Sequence, residues 1–182
     1  MRRFGFILIL SAKQVSELLG VTIAIDIKGI VEDVKCVENG YLFIARKGKN
    51  YDGLKDVDLA ISKGAIVLHE NKELQKGYYI YDLNQKIDAV LAAFYQNICD
   101  TICIVGVCGS NGKSSVVSFL YEMMEAEKCM CIGTQFVKIA NKTIQTQNTT
   151  PSKIMLMHYI YKAKLNNLKY VFMEVSSHAI SE

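Results

Sequence analysis

The segment Ile104-Val-Gly-Val-Cys-Gly-Ser-Asn-Gly-Lys-Ser-Ser115 passes from apolar residues through glycines to a lysine and two serines. Residues 101–107 are apolar and rich in β-branched side chains, which predicts a buried strand, and a helical pattern follows the glycines. Gly109 and Gly112 allow the backbone N–H groups to turn inward, toward phosphate oxygens at the start of that helix. The segment therefore predicts a phosphate-binding loop between a strand and a helix.

Two side chains supply the chemistry of this loop. Lys113 places a positive charge near the outer phosphates, and the Ser114 hydroxyl is suited to a magnesium ion. The usual pattern has a glycine where this chain has Val107, and Gly-Lys-Ser alone also fits an ordinary glycine-rich turn. The residues predicted to bind the nucleotide are Gly109, Ser110, Asn111, Gly112, Lys113, Ser114 and Ser115.

The helix after the loop is amphipathic. Five apolar residues at helical spacing predict the face that packs against the sheet: Val116, Val117, Leu120, Met123 and Met124.

Composition excludes several classes of protein. The 182 residues allow one ordinary domain or two small ones, and 51% of them are hydrophobic, enough for a core. A net charge of +3 with interspersed signs does not predict a nucleic-acid binder. Six scattered cysteines fit reduced thiols in a cytosol, and Cys129 and Cys131 are interpreted as buried rather than as a metal or redox pair.

The N-terminus superficially resembles a secretory signal, because two arginines precede an apolar run in residues 1–10. The run is short and Lys13 soon interrupts it, so we interpret it as an ordinary strand or helix start. No apolar stretch approaches the ~20 residues needed to span a bilayer. These features predict a cytoplasmic protein without a membrane anchor.

Short apolar runs separated by turn residues predict a small α/β domain over residues 1–82. Asn39-Gly40 is a strong turn signal, residues 56–63 have helical spacing, and residues 65–68 read as a strand. A second domain is predicted over residues 83–182, beginning with an amphipathic helix that we expect beside the strand feeding the loop.

The second domain is predicted to contain a parallel sheet. Beyond the loop, strands are predicted at 129–134 and 170–175, a hairpin at 136–146, and a helix capped by Ser152 with Ile154, Met157, Tyr161 and Leu165 on one face. Strands alternating with helices favour an α/β fold whose ligands gather at the C-terminal strand ends.

Two polar clusters follow predicted strand or turn ends. Glu174 could hold magnesium against the phosphates, or it could be a strand-end glutamate facing water. Asn148-Thr-Thr-Pro151 is also compatible with a simple turn and helix start. Ser176, Ser177 and His178 do not form a triad, because adjacent residues in one turn lack that geometry and no acid orients the histidine.

Together these motifs resemble the Mur ligases, the amide-bond-forming enzymes of cell-wall synthesis. The loop Gly106–Ser115 is similar to their nucleotide loop, including the missing first glycine. Asn148-Thr-Thr-Pro151 and Met173-Glu-Val-Ser-Ser-His-Ala179 resemble the MurE group, which adds the third peptide residue. Residues 38–67 are similar to the family's uridine-nucleotide-binding domain.

The resemblance implies an ATP- and Mg²⁺-dependent ligase acting on UDP-MurNAc-L-Ala-D-Glu and a diamino acid, either meso-diaminopimelate or L-lysine. It assigns Lys113 and Glu174 to catalysis, and Ser114 and Glu174 to the metal. The positions that match substrate-binding residues are Lys49, Asn50, Tyr51, Asn148, Thr149, Thr150 and Ser176.

Two departures from the family affect these expectations. Asp33-Val-Lys35 replaces the usual Asp-Ser-Arg, so a serine hydroxyl beside the uridine pocket is lost. The resemblance also implies further sheet, a carbamylated lysine and a C-terminal domain beyond Glu182. We therefore expect a truncated ligase, either one piece of a split gene or a decaying remnant, with an exposed sheet edge and little or no activity by itself. A separately encoded C-terminal fragment is a candidate partner. The alternatives are a nucleotide- or UDP-sugar-binding remnant and a sister Mur or folylpolyglutamate-type ligase.

Overall fold

The chain forms two compact units. The computed structural model describes residues 8–48, 51–124, 128–139, 142–145 and 151–176. Contacts divide the chain between Gln96 and Asn97. Among the described residues, no helix combines the length and the hydropathy required to cross a bilayer.

The first unit contains a parallel four-stranded sheet in the order β1-β2-β3-β4. Because all four strands run in the same direction, their carboxyl ends lie along one edge of the sheet. The α/β class predicted from the sequence is confirmed. The elements are α1 (Ala12–Leu19), β1 (Gly29–Val31), β2 (Tyr41–Ile44), α2 (Val57–Ser62), β3 (Ile66–His69), β4 (Tyr78–Tyr79) and α3 (Leu83–Phe94).

Helix α1 was not predicted from the sequence. The Ser11 hydroxyl accepts a hydrogen bond from the Gln14 N–H at 3.3 Å, and Gly20 ends the helix with φ of 73°. Val15 and Leu19 are buried on one face. A capping serine, two apolar residues four apart and a terminal glycine are the signals that identify such a helix.

Helix α3 forms where it was predicted, but it lies in the first unit. Its apolar residues Ile87, Val90, Leu91 and Phe94 are buried, and it packs against α1. The Lys86 ammonium donates to the carbonyl of Leu19, the last residue of α1, at 2.5 Å. The sequence predicts a domain boundary after residue 82, before this helix. The spacing of its apolar residues shows that the helix has an apolar face, but it does not show which element covers that face.

The second unit contains a five-stranded sheet in the order β5-β9-β6-β7-β8. β5, β9 and β6 are parallel, and β7 and β8 form the predicted antiparallel hairpin, whose turn at 140–141 lies outside the described residues. The elements are β5 (Cys103–Val107), α4 (Lys113–Met123), β6 (Cys129–Ile132), β7 (Phe136–Ile139), β8 (Lys142–Gln145), α5 (Lys153–Leu165) and β9 (Tyr170–Glu174).

β5 is present, but the prediction that it is buried is wrong. It is an edge strand in the described sheet, and Ile104 remains 37% exposed. Val105 and Val107 pack partly against the cluster around Val117. An apolar strand is buried on both faces only when elements cover both faces, and composition alone does not establish that.

The predicted apolar face of α4 is only partly correct. Val117 is fully buried, and Leu120 and Met124 pack against the same cluster, whereas Val116 is 45% exposed and Met123 is 83% exposed. Residues 117, 120 and 124 share a face because they are three to four residues apart. Val116 and Met123 belong to the adjacent face, so the prediction combined two apolar faces into one.

The predicted apolar face of helix α5 is also only partly correct. Ser152 caps it as predicted, its hydroxyl accepting from the Met155 N–H at 3.3 Å. Ile154 is buried, but Leu165 is 40% exposed, which is contrary to the predicted face. The face that is buried in the structure also includes Ile160 and Ala163.

The cysteines divide by burial. Cys129 and Cys131 are fully buried in β6, as the sequence predicted. Burial raises the pKa of both thiols, that of Cys131 to about 11. Both are therefore protonated near neutral pH, and a protonated thiol is a poor metal ligand and a poor nucleophile.

A maleimide reagent at pH 7.5 is expected to label Cys36, Cys103 and Cys108 rapidly, because these three thiols are exposed. Cys129 and Cys131 are expected to react only after unfolding in urea. Mass spectrometry of the peptides measures both rates. Native labelling of Cys131 as fast as that of Cys36 would contradict the burial.

The same burial predicts a pH dependence of stability. Because the folded state holds the Cys131 proton more tightly than the unfolded chain does, the free energy of unfolding is expected to fall as the pH rises from 9 toward 11.

Candidate functional site

The predicted phosphate-binding loop lies between the end of β5 at Val107 and the start of α4 at Lys113. Gly109 has φ of 149° and Gly112, the N-cap of α4, has φ of 79°. Val116 N–H donates to the Gly112 carbonyl at 3.0 Å, which closes the first turn of the helix. The free N–H groups of that turn and the positive end of the helix dipole are available to an anion.

The Lys113 ammonium folds back over the loop and donates to the Gly109 carbonyl at 2.7 Å. This contact holds the lysine over the turn, and no carboxylate in the described part of the chain forms an ion pair with it. A phosphate oxygen carries more negative charge than a carbonyl oxygen, so it can replace this partner. Lys113 is therefore able to neutralise a phosphate if one binds at this turn.

Replacing Gly112 with alanine is expected to destabilise the second unit by about 1 kcal/mol, because a side chain is strained at its positive φ. Apart from its chain neighbours, no described residue has an atom within 4 Å of the position that the new Cβ would occupy, so the cost comes from the backbone conformation. Urea unfolding followed by circular dichroism measures the change. Ser118→Ala, within α4, is the matched control, and equal stability of Gly112→Ala and the unsubstituted chain would contradict the left-handed turn.

Glu174 is the buried carboxylate beside this loop. It is the last residue of β9, pairs in register with Val107, and is only 1% exposed. The Val175 N–H donates to the Val107 carbonyl at 2.9 Å, so the end of β9 is fastened to the start of the loop. The alternative of a glutamate facing water is therefore wrong.

Thr134 holds this carboxylate with two hydrogen bonds. Its N–H donates to Glu174 Oε1 at 3.1 Å, and its hydroxyl donates to Oε2 at 2.8 Å. A Cβ on Gly133 would lie 3.0 Å from Oε1, so the glycine allows this close approach. Sequence reasoning did not assign Thr134 a role, although its position just after β6 was a usable signal.

These groups converge because β5, β9 and β6 are adjacent parallel strands. Their carboxyl ends place the loop, Glu174 and Thr134 along one edge of the sheet. The described residues contain no group of three or more His, Cys, Asp or Glu side chains suited to a metal. The Glu174 carboxylate and the Ser114 hydroxyl are oxygen donors, the type that Mg²⁺ prefers, and each carboxylate oxygen keeps lone-pair capacity beyond its bond to Thr134.

Several predicted substrate residues lie outside the described part of the chain. These include Asn148, Thr149 and Thr150. Ser177 and His178, which were considered as parts of a triad, also lie outside the described residues. Ser176 is described and partly buried, two residues beyond Glu174.

The predicted uridine loop in the first unit is described only in part, since Lys49 and Asn50 lie outside the described residues. Tyr51 is 45% exposed, and its hydroxyl donates to Asp56. Burial and this hydrogen bond raise the pKa of Tyr51 to about 12, so the phenol stays protonated. Val34, where the family has a serine, packs in the core and has no hydroxyl to offer a ligand.

Comparison with known proteins agrees with this geometry. Residues 107–182 match the model of the Mur ligase middle domain. The UDP-N-acetylmuramoyl-L-alanyl-D-glutamate–2,6-diaminopimelate ligase of Bacteroides fragilis is 36% identical over 166 residues, covering 87% of this chain and 34% of that protein. The chain belongs to the Mur ligase family.

Other Mur ligases give the same result. The protein of the same name from Fusobacterium nucleatum is 31% identical over 157 residues, covering 84% of this chain and 32% of its own length. The chain thus spans about a third of the length of the curated relatives it matches.

Solved Mur ligase structures support the fold. A structure of a UDP-N-acetylmuramoyl-L-alanyl-D-glutamate–2,6-diaminopimelate ligase has a TM-score of 0.70 at 20% identity, covering 94% of this chain and 37% of the solved one. A structure of MurF from Acinetobacter baumannii has a TM-score of 0.59 at 14% identity, covering 93% and 36%. At these identities the likeness concerns the fold alone.

Proposed function

We propose that this chain carries the nucleotide-binding part of an ATP-dependent ligase that joins a diamino acid to UDP-MurNAc-L-Ala-D-Glu. The observation that carries the proposal is the shared edge of the second sheet, where the glycine loop, Lys113 and the buried Glu174 meet. Relatives at 31–36% identity carry the name of the 2,6-diaminopimelate ligase, which favours that diamino acid as the substrate.

The proposed reaction has two steps. The D-glutamate carboxylate of the substrate attacks the γ-phosphorus of ATP, which forms an acyl phosphate and releases ADP. The amine of the diamino acid then attacks the acyl carbon, a proton leaves the nitrogen, and inorganic phosphate departs as the amide bond forms. The energy of ATP is thereby used to convert a poor leaving group into a good one.

Residues of the second unit suit the first step. The loop N–H groups and the start of α4 bind the phosphates, and Lys113 leaves the Gly109 carbonyl to stabilise charge on the transferred phosphoryl group. Mg²⁺, held through Ser114 and Glu174, would neutralise charge on the phosphate oxygens. Thr134 keeps the carboxylate aimed at this position through its two hydrogen bonds.

Two measurements on the purified chain test the proposal. Calorimetric titration with Mg-ATP and with UDP-MurNAc-L-Ala-D-Glu measures binding, and release of ADP with both substrates and diaminopimelate measures turnover. Binding of both ligands with ADP release supports the ligase. Binding without ADP release supports the non-catalytic binding module that the sequence leaves open, and failure to bind either ligand would refute the proposal.

A further inference from the structure

The outer edge of β5 is open in the second unit. β5 is the end strand in the order β5-β9-β6-β7-β8, and within the described residues no strand lies on its other side. Residues 102–108 include no charged side chain and no proline. Natural sheets protect an edge strand with such residues, because an unprotected edge pairs readily with another strand. The β5 edge is therefore suited to receive a further strand.

The hydrogen bonds of β5 show which backbone groups face this edge. The Cys103 N–H and the Val107 carbonyl are both bonded to the segment that contains β9, at 3.0 and 2.9 Å. The N–H and C=O of a strand residue point to the same side, and successive residues alternate between the two sides. The N–H and C=O groups of Ile104 and Gly106 therefore point outward, toward the open edge.

An exposed apolar stripe of α4 borders the same edge. Tyr121 marks the flank of α4 that faces away from β5, because the ammonium of Lys138, on β7, lies 5.3 Å from its ring centroid. The opposite flank, toward β5, carries Val116, Phe119 and Met123, and all three are exposed. Neighbouring exposed apolar side chains of this kind indicate an interaction surface.

We infer that the β5 edge pairs with the β5 edge of a second copy of this chain, antiparallel and centred on Val105. In that register Ile104 of one copy lies opposite Gly106 of the other, and each such pair exchanges two hydrogen bonds. Every outward N–H and C=O group of both residues is then bonded. The dimer requires no ligand, so it stands apart from the proposed function.

The symmetry of this pairing explains why a second copy fits the edge. An antiparallel pair of identical strands has a two-fold axis, so one surface serves both copies, as in most homodimers. The two sheets become one continuous sheet, with both α4 stripes on the same face and turned toward the axis. Because residues 102–108 are uncharged, no like charges oppose each other across the pair.

The area of this surface is close to what a specific dimer needs. The outer edge of β5 and the α4 stripe expose on the order of 500 Å² per copy, so a dimer would bury about 1,000 Å² in total, the lower limit for a specific interface. We therefore expect a reversible dimer with a dissociation constant on the order of 10 µM.

Sedimentation velocity of the full chain, from well below to well above this concentration, tests for the dimer. Ile104→Lys is expected to weaken dimerisation at least about tenfold, because two like charges then meet at the paired edges. Ile104 is already 37% exposed, so the substitution removes no buried contact, and circular dichroism verifies the fold. Ile144→Lys is the matched control, since Ile144 has the same 37% exposure and lies on β8, the opposite end strand.

A cysteine at the centre of the pairing tests the register. Opposite Cα atoms in a non-hydrogen-bonded antiparallel pair are about 4.5 Å apart, within the range of a disulfide. Val105→Cys should therefore link two copies when copper–phenanthroline is added as oxidant. Ile104→Cys should not, because its two copies lie diagonally, more than about 7 Å apart. Both variants are made in a chain whose exposed thiols are replaced by serine: Cys36, Cys103 and Cys108.

The inference is supported by a concentration-dependent dimer that Ile104→Lys weakens and Ile144→Lys leaves unchanged. A chain that stays monomeric at every concentration would overturn it, and would leave the edge to a strand from a longer ligase polypeptide. A dimer that tolerates Ile104→Lys, or that links through Ile104→Cys as readily as through Val105→Cys, would overturn the pairing centred on Val105.

Discussion

Lys113→Ala is expected to weaken ATP binding by this chain by about one to two orders of magnitude. The lysine is the cation that the loop holds over its own turn, 2.7 Å from the Gly109 carbonyl. Ionic hydrogen bonds of this kind contribute about 1.5–3 kcal/mol, which corresponds to the stated loss of affinity. Calorimetric titration of Mg-ATP into the chain and the variant measures it directly.

Lys142→Ala is the matched control for this prediction. Lys142 is exposed on β8, at the opposite edge of the five-stranded sheet from β5. The Lys142→Ala substitution removes the same charge from the same unit. The ATP affinity of this variant should therefore remain within about twofold of that of the unsubstituted chain. Equal ATP affinities for Lys113→Ala and Lys142→Ala would show that the loop does not bind the triphosphate.

Glu174→Gln is expected to abolish most of the gain in ATP affinity that Mg²⁺ provides. The substitution keeps the size of the side chain and removes the negative charge that a divalent cation requires. It also leaves one of the two Thr134 donors facing an amide nitrogen, which cannot accept a hydrogen bond. We therefore expect a loss of stability of about 1–3 kcal/mol in addition, measured by urea unfolding.

Two variants separate the metal effect from the structural one. Thr134→Val removes the hydroxyl donor but keeps the Glu174 charge, so it should lower stability while preserving most of the magnesium response. Glu122→Gln removes an exposed carboxylate from α4 and should change neither quantity. If Mg²⁺ raises the ATP affinity of Glu174→Gln as much as that of the unsubstituted chain, Glu174 does not hold the metal.

The loop was predictable from the sequence because its conformation is local. Glycines, a lysine and the start of a helix within about ten residues specify the turn without help from distant parts of the chain. The strands predicted at 129–134 and 170–175 and the hairpin were predictable for the same reason. The Thr134–Glu174 contact joins residues 40 apart, and no local pattern indicates it.

Burial was the property that local patterns predicted least well. Ile104 and Met123 are apolar and regularly spaced, yet both are exposed, because burial depends on which elements cover a face. The buried Nε and Nη2 atoms of Arg46, which have no hydrogen-bond partner among the described residues, show the same limit. Whether an arginine has partners depends on the side chains that the fold brings around it, and its chain neighbours Ala45 and Lys47 have no side-chain acceptor.

By itself, the sequence determined the succession of strands and helices from the strand before the loop to the strand that ends at Glu174, the glycine turn before Lys113 and the resemblance to Mur ligases. Only the tertiary structure decided that Glu174 lies beside the loop, that Thr134 holds it, and that α3 belongs to the first unit. The physical reason is that backbone propensities and capping act within a few residues. Strand order and side-chain burial instead arise from packing between segments that are distant in the chain.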